Sequence, residues 1–297
     1  MKQLRLGIIG MSAGNGHPYS WAAICNGYDH RYMRDCPFPV IPEYLAHESF
    51  PDAQIADVAV THIWTQDTAT STHIAKATHI PTIVSTPEQM IGQIDALLLA
   101  RDDAELHYHY ARPFLEAGIP VYIDKPLALS QAEAEKIFAA ARKKSDVFSL
   151  SALSHAPELK ISAEMKKKIG TIRSISAVTP KYWDTYAVHI IEPVLKMIKW
   201  QESYTVVKIT DQPHKSLQLL WKSGVITSFT ALGDEPSQIR ITIIGELGTM
   251  TLTFENTFRA FRAALVHFLG TVRGTEQPPE KDFTLKIVSI IEQGRHP

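Results

Sequence analysis

One lysine stands at the end of a run of strand-forming residues. The stretch VYIDKPLAL covers residues 121–129, and its apolar part ends in Asp124, Lys125 and Pro126. Ligands of open parallel sheets collect at the carboxyl ends of the strands, so an amine that follows such a strand can reach a bound molecule. Its ammonium group could hydrogen-bond a hydroxyl that is being oxidised to a ketone. The alternative is a solvated lysine that pairs with Asp124.

A histidine with suitable chemistry lies on a predicted helix in YWDTYAVHIIEPVLKMI, residues 182–198. An imidazole that titrates near neutrality can take the proton of a hydroxyl group, which makes His189 a candidate base. Glu192 follows three residues later, so both side chains can face one cleft. Tyr182, Trp183 and Tyr186 could stack on a sugar-like ring. The alternative is a core histidine bonded to backbone, beside aromatic residues that are simply packed.

A glycine-rich segment follows the first predicted strand. It reads GIIGMSAGNGH, residues 7–17, where a doubly wound fold places a phosphate-binding turn before a helix. A strict G-x-G-x-x-G reading from Gly10 puts Ser12 and Asn15 at the second and third glycine positions, and Gly14 and Gly16 could supply the missing flexibility. The alternative is a merely tight turn. The predicted cofactor contacts in this segment are Gly10, Met11, Ser12 and Asn15, and His17 is a candidate to line the same site.

The residue that would bind the adenosine ribose is expected at the tip of the second strand. That strand reads DVAVTHIWTQD, residues 57–67, and its tip falls on His62, with Asp67 a little beyond. No Arg or Lys stands in the segment to bind a 2′-phosphate. The sequence therefore favours NAD over NADP and makes His62 a predicted cofactor contact.

The pattern of elements predicts an α/β protein with two domains. In residues 1–150, short aliphatic runs alternate with amphipathic helices, which is typical of a Rossmann domain with a doubly wound, mostly parallel sheet. The predicted strands are 4–9, 57–63, 82–85, 96–99, 121–124 and 147–150, and the predicted helices are 19–26, 70–78, 104–117 and 131–143. Residues 28–55 interrupt this rhythm with prolines, as an ordered excursion.

After residue 150 this alternation ends, and the predicted strands follow one another along the sequence. Turn signals such as KSG and GELG separate the runs, and helices are predicted at 258–272 and 282–292. Residues 151–297 therefore read as an α+β domain with a largely antiparallel sheet.

Composition excludes several classes of protein. The net charge of -1 and the lack of a long basic block argue against nucleic-acid binding. No stretch of 18 apolar residues predicts a membrane span, and the start of the chain lacks the features of a signal peptide. The two cysteines match no metal or redox spacing, and the histidines show no H-E-x-x-H, so no metal is expected. These features predict a soluble cytoplasmic protein.

Three segments are similar to the glucose-fructose oxidoreductase and inositol dehydrogenase family, often called Gfo/Idh/MocA. They are EAGIPVYIDKPLALSQAEAEKIFAAARKK at 116–144, AELHYHYARPFLEAG at 104–118 and IGTIRSIS at 169–176. Asp124 replaces the glutamate of the family's Glu-Lys-Pro, and His107 falls on a usual family histidine. In the family's Asp-x-Gly-x-His-x-x-Asp pattern, Thr185 takes the first position, His189 the histidine and Glu192 the last acid.

The resemblance implies a function. It is an NAD(P)-dependent oxidoreductase that moves a hydride between nicotinamide and a secondary alcohol or ketone of a sugar-like or cyclitol-like molecule. Lys125 and His189 would be catalytic, meeting beside the nicotinamide, and Tyr186 and Glu192 would contact substrate. The resemblance also implies a cis peptide at Pro126 and a second domain, residues 151–297, that binds substrate and forms a homodimer or homotetramer. The alternative is a non-catalytic regulator or sensor of the same fold that binds a dinucleotide or a sugar.

Overall fold

The chain begins with alternating strands and helices. The structure, a computed structural model, describes residues 3–211 and 213–295. The elements up to residue 148 are β1 (Leu4–Ile9), α1 (His17–Asn26), α2 (His30–Met33), α3 (Val40–Ala46), β2 (Val58–Trp64), α4 (Thr68–Ala77), β3 (Thr82–Ile83), β4 (Ala96–Leu99), α5 (His107–Ala117), β5 (Val121–Ile123), α6 (Gln131–Ala140) and β6 (Val147–Phe148). Short 3₁₀ turns cover Pro87–Met90, Ala104–Leu106 and Lys144–Asp146.

The first six strands form one parallel sheet in the order β3-β2-β1-β4-β5-β6. This is the order of a Rossmann fold, and it confirms the predicted doubly wound sheet. The chain reverses direction across the sheet between β1 and β4, so the carboxyl ends of these strands border the crevice where such folds bind ligands. The segments that follow Ile9, Leu99 and Ile123 all start at this edge.

The rest of the chain is richer in antiparallel strands. After two further 3₁₀ turns, Ala152–His155 and Pro157–Leu159, its elements are α7 (Ala163–Ile169), β7 (Ile172–Thr179), α8 (Trp183–Tyr186), α9 (Val188–Leu195), β8 (Tyr204–Thr210), β9 (Lys215–Trp221), β10 (Ile226–Ala231), β11 (Arg240–Gly245), β12 (Thr249–Thr253), α10 (Thr257–Arg273) and α11 (Lys281–Arg295). Within residues 3–211 and 213–295, no helix combines the length and the apolar character needed to cross a bilayer.

The second sheet has the order β12-β11-β7-β10-β9-β8. All neighbouring strands run antiparallel except β7 and β10, which pair in parallel, so the sheet is largely antiparallel as predicted. Alternate side chains are buried on one face, for example Ile175 and Ala177 of β7 and Phe229 of β10. Helices α8, α9 and α11 contact the sheet strands, and this face forms the core of the second domain.

The chain divides into two compact units. The first contains residues 1–127, 135–149 and 257–279, and the second contains 128–134, 150–256 and 280–297. Helix α10, which the sequence assigns to the second domain, thus groups with the Rossmann sheet. Aromatic contacts explain this: the Phe268 ring lies 5.5 Å from that of Tyr122 and 5.3 Å from that of Phe148.

Several element boundaries differ from the predicted ones. Helix α1 begins at His17 rather than at residue 19, because Pro18 lies in the first turn, where a missing N–H costs nothing. Strand β2 ends at Trp64 rather than at residue 63. The region 104–117 divides into a 3₁₀ turn and α5. The excursion at 28–55 contains the short helices α2 and α3.

Asn26 fixes the end of α1 against the sheet. Its side-chain amide donates to the carbonyls of Val60 (2.9 Å) and Thr78 (3.0 Å), and its oxygen accepts the N–H of Val60 (2.8 Å). One side chain therefore joins α1, β2 and the end of α4. Because α1 begins at the glycine-rich segment, this anchor also fixes the direction in which that segment leaves β1.

We expect Asn26→Ala to lower the free energy of unfolding by about 2 kcal/mol, because a backbone N–H and two carbonyls lose their partner. Urea unfolding followed by circular dichroism measures the change. Thr72→Ala removes an exposed hydroxyl bonded within α4 and should change stability by less than about 0.5 kcal/mol. Equal stability of the two variants would contradict the anchoring role.

Candidate active site

The glycine-rich segment is a tight loop between β1 and α1. A β-carbon on Gly16 would lie 2.5 Å from the side chain of Ile41 and 2.6 Å from that of Phe38, so this position tolerates only glycine without repacking. Gly14 has a φ of +80° and open space around it. The strict motif places the glycine that allows close packing at position 15, where this chain has Asn15. The residue that serves this purpose is Gly16, one position later.

A buried carboxylate ties the loop to β5. Asp124 is only 2% exposed. Its Oδ2 accepts the side-chain amide of Asn15 (2.8 Å) and lies 2.5 Å from His17 Nδ1, while its Oδ1 accepts the N–H of Lys125 (2.8 Å). The Asn15 oxygen accepts the N–H of His17 (2.8 Å). His17 also stacks on Trp21, with ring centroids 5.1 Å apart.

The surroundings keep this carboxylate ionised. Burial is the largest influence on the pKa of Asp124 and acts to raise it, but the charges of His17 and Lys125 and the hydrogen bonds from His17 and Asn15 act in the opposite direction. Together they hold the pKa well below its ordinary value. Asp124 is therefore an anion at neutral pH, and the loop, β5 and Lys125 are arranged around its charge.

A second carboxylate lies between the loop and the Lys125 ammonium. The Ser12 hydroxyl donates to Asp102 Oδ1 (2.6 Å), and the N–H of Asp102 donates back to Ser12 Oγ (3.0 Å). Lys125 Nζ lies 3.4 Å from Asp102 Oδ2. Lys125 is buried, and its ammonium lies beside a protein carboxylate. The Lys125–Pro126 peptide is cis, as the family resemblance implies.

An arginine fills the corner between the ends of β2 and β4. Arg101 donates to both oxygens of Asp103 (2.9 and 2.5 Å) and to Gln66 Oε1 (3.0 Å). Its guanidinium lies 4.8 Å from the centre of the Tyr110 ring. The side-chain amide of Gln66 in turn accepts the N–H of Met11 with its oxygen and donates to the carbonyl of Met11 with its nitrogen. Met11 thus enters the site through its backbone.

His62 lies inside β2, two residues before the end of the strand, and pairs with Gly7 and Thr82 of the neighbouring strands. Burial, and to a lesser degree the charge of Arg5, lower its pKa. The tip position therefore falls on the residues after Trp64, where Gln66 faces the loop and Asp67 caps α4. The prediction that His62 lies at the tip of the strand is therefore wrong. Its position inside β2 gives no support to a contact with the cofactor.

The loop fits the diphosphate of a dinucleotide. Ala13 and Gly14 are exposed, and in the part of the chain that the structure describes their N–H groups have no hydrogen-bond partner. Such N–H groups before a helix are typical ligands of phosphate. Bound there, a nicotinamide dinucleotide would supply or accept a hydride. Among residues 3–211 and 213–295, no three His, Cys, Asp or Glu side chains are grouped as metal ligands.

His189 lies in the second unit, on α9, and is buried. Its Nδ1 is 2.7 Å from the hydroxyl of Ser151, which caps the 3₁₀ turn Ala152–His155. The Tyr186 ring is half-buried and packs edge-on against the imidazole, with centroids 4.9 Å apart. Lys181 Nζ lies 4.6 Å from the centre of the Tyr186 ring.

Other residues predicted near His189 have structural contacts. Glu192 is 1% exposed, and its carboxylate binds the N–H of Ser151 (2.6 Å), the Ser154 hydroxyl (2.5 Å) and Lys196 Nζ (3.1 Å). The expectation that Glu192 faces a cleft is therefore wrong, because its carboxylate is a buried anchor inside the second unit. Trp183 is likewise buried and donates to the carbonyl of Ile291 (2.9 Å), which removes it from the proposed stacking face.

The sheet order and the loop define a dinucleotide-binding Rossmann protein. Residues 4–152 match the model of the Gfo/Idh/MocA oxidoreductase family, which has an NAD-binding Rossmann fold. The chain belongs to this family, which confirms the resemblance seen in the sequence.

Solved structures with the same fold span the whole chain. Myo-inositol 2-dehydrogenase from Lactobacillus plantarum has a TM-score of 0.72 at 14% identity, covering 99% of this chain and 96% of that one. KijD10, a 3-ketoreductase from Actinomadura kijaniata in complex with NADP, has a TM-score of 0.73 at 15% identity, with 99% and 97% covered. GenD2 from gentamicin A biosynthesis, in complex with NAD, has a TM-score of 0.75 at 15% identity, covering 98% of this chain and 93% of that one. Comparison with the curated proteins gave no match.

Sequence reasoning missed Arg101, Asp102 and Ser151. Arg101 and Asp102 follow the apolar strand β4 after Ala100 in LLLARDD, a signal similar to the one that singles out Lys125 after β5. Applying that rule to every strand end would have found them. Ser151 has no such signal, because a serine at the start of a turn is common.

We expect Asp124→Asn to lower the free energy of unfolding by about 3 kcal/mol at pH 6, because the positive groups around it lose a buried partner. The folded pKa of Asp124 lies below the unfolded value of about 3.9, so this contribution is complete above that pH and decreases as the pH falls further. Denaturant unfolding of wild type and Asp124→Asn, repeated at intervals of about one pH unit from about pH 3 to about pH 7, measures this contribution to the free energy of unfolding.

The matched control for this series is Asp35→Asn. Asp35 forms an ion pair with Arg34 at 3.6 Å in which both side chains are mostly exposed. Its loss should cost less than about 1 kcal/mol. A difference between wild type and Asp124→Asn that does not shrink at low pH would show that the charge of Asp124 is not what holds the loop.

Proposed function

We propose that the protein transfers a hydride between a nicotinamide dinucleotide and a secondary alcohol or ketone of a sugar-like or cyclitol-like molecule. The observation that carries this proposal is the buried ammonium of Lys125, held 3.4 Å from Asp102 at the carboxyl end of β5, beside the glycine-rich loop. A proton-donating group beside a dinucleotide loop suits a reaction in which an oxygen gains or loses a proton as carbon gains or loses a hydride.

The relatives support the substrate class. One neighbour acts on myo-inositol, a cyclitol, and another is a 3-ketoreductase. The proposed catalytic residues are Lys125, whose ammonium polarises the reacting oxygen, and His189, with Tyr186 beside the substrate ring. Glu192 has no proposed contact with substrate. A meeting of Lys125 and His189 beside the nicotinamide, a homodimer or homotetramer and a cytoplasmic location stay predictions.

We expect Lys125→Met to lower kcat about 100-fold or more on a panel of polyols and their ketones, since a positioned proton donor contributes about that factor. Titration of the protein fluorescence with NADH checks that the variant still binds the dinucleotide. Lys76→Ala, which removes an exposed amine on α4, is the control and should retain wild-type turnover. Unchanged turnover in Lys125→Met would remove the mechanism, and NADH binding by wild type without any turnover would favour a sensor.

The corner at the end of β2 predicts a preference for NAD. A 2′-phosphate would lie beside Gln66, where Arg101 is the nearby cation and is already paired with Asp103. Asp67 adds a further negative charge at the start of α4.

We therefore expect NADPH to bind about tenfold more weakly than NADH, because like charges repel its extra phosphate. Asp103→Asn should release Arg101 and narrow this difference. Fluorescence titrations of wild type and variant with both nucleotides measure the two ratios. Tighter binding of NADPH by the wild type would contradict this reading of the corner.

A further inference from the structure

The hydroxyl of Ser151 is hydrogen-bonded to the imidazole of His189. The residue is 0% exposed, so water does not reach it. Its Oγ already accepts the N–H of Leu153 at 3.3 Å and lies 2.7 Å from His189 Nδ1. Within the described part of the chain, His189 Nδ1 is the acceptor available to the hydroxyl proton. A buried hydroxyl that makes no bond is unfavourable, so the proton points to the imidazole.

This bond selects one form of the neutral imidazole. A neutral histidine carries a single N–H, and when Nδ1 accepts a hydrogen bond that N–H is on Nε2. The other tautomer would set the N–H of Nδ1 against the serine hydroxyl, whose own proton would then lose its acceptor. The cost of that lost bond corresponds to about tenfold or more in the ratio of the two tautomers.

The position of Ser151 is itself fixed by α9. Glu192 lies one helical turn after His189, and its Oε2 accepts the N–H of Ser151 at 2.6 Å. Its Oε1 accepts the Ser154 hydroxyl and binds Lys196. A carboxylate only accepts hydrogen bonds, so these donors hold the 3₁₀ turn against the helix. The buried carboxylate of Glu192 thus joins the turn that carries the serine hydroxyl to the helix that carries the imidazole.

We infer that Ser151 is a positioning residue that keeps neutral His189 in the tautomer protonated on Nε2, so that His189 acts as a hydrogen-bond donor and not as a base. This rests on the proposed function and refines it. A neutral histidine that donates to a carbonyl oxygen polarises the carbonyl without giving up its proton.

The proton balance then falls on Lys125. When a carbonyl carbon gains the hydride from the reduced dinucleotide, the former π pair remains on oxygen, which takes one proton. In this assignment the proton leaves the Lys125 ammonium, the resulting amine is reprotonated from water, and His189 keeps its Nε2 proton throughout. In the reverse direction, the neutral amine of Lys125 takes the hydroxyl proton.

The tautomer can be measured directly on the full-length protein. We expect long-range ¹H–¹⁵N spectra of ¹⁵N-histidine-labelled protein, at a pH where the ring is neutral, to show His189 protonated on Nε2, with its signals assigned by their absence in His189→Gln. In Ser151→Ala the hydrogen-bond shift of Nδ1 should disappear, and Ser151→Thr should restore it. Thr284→Ala, which removes a hydroxyl on α11 that donates to the carbonyl of Glu280, is the matched control and should keep the wild-type pattern.

Two results would overturn the inference: protonation on Nδ1 in the wild type, or identical Nδ1 signals in wild type and Ser151→Ala. The spectra are recorded without substrate, so they decide the tautomer even where the wild type turns over nothing on the panel. A wild-type protein that shows no turnover on the panel would count against the proposed function alone.

Kinetics separate a donor from a base. The amide of glutamine can donate a hydrogen bond from the position of Nε2 but cannot take up a proton. We expect His189→Gln to retain kcat within about tenfold of wild type, and His189→Ala to lose about 100-fold. If His189→Gln is as impaired as His189→Ala, while it folds and binds NADH like the wild type, His189 is a base and the inference fails.

Discussion

The buried carboxylate of Asp124 is the constraint on which the arrangement of the first unit depends. An anion without access to water must be surrounded by donors, and here those donors come from the loop, from the first turn of α1 and from the backbone at the end of β5. The sheet alone would set where β1 and β5 end. The carboxylate sets how far apart the loop and Lys125 lie, because moving either of them would leave a buried charge unpaired.

Charges along the carboxyl edge of the sheet are balanced in pairs. Asp102 lies against Lys125 and Asp103 against Arg101, while Asp124 lies against His17. Paired in this way, Lys125 and Arg101 offer little free charge to the diphosphate of a dinucleotide. A diphosphate bound there would instead meet the backbone N–H groups of the loop and the start of α1, which carry no countercharge. This explains how the segment can serve a dinucleotide although Ser12 and Asn15 replace glycines: both side chains hold the loop in place from its inner side.

The predictable part of this molecule follows from local patterns. Strands β1 and β4 have the predicted bounds because uninterrupted aliphatic runs are buried on both faces of a parallel sheet. Lys125 was identifiable because a charged residue directly follows such a run. Glu192 was misjudged because spacing on a helix shows which side chains share a face but not whether that face meets a cleft or another element. The grouping of α10 with the first sheet was equally hidden, since contacts between Phe268 and Tyr122 join residues far apart in the chain.

The two units solve the same positioning problem with the same chemistry. In the first, a buried carboxylate accepts the backbone N–H of Lys125; in the second, Glu192 accepts that of Ser151, whose hydroxyl contacts His189. An amide in either place would bring an N–H donor to one of the two positions at which the neighbouring groups donate. A carboxylate accepts at both oxygens, so every group around it must donate, and this removes the alternative arrangement. Glu192 thus fixes the position of Ser151, and the serine hydroxyl is the group that contacts the imidazole.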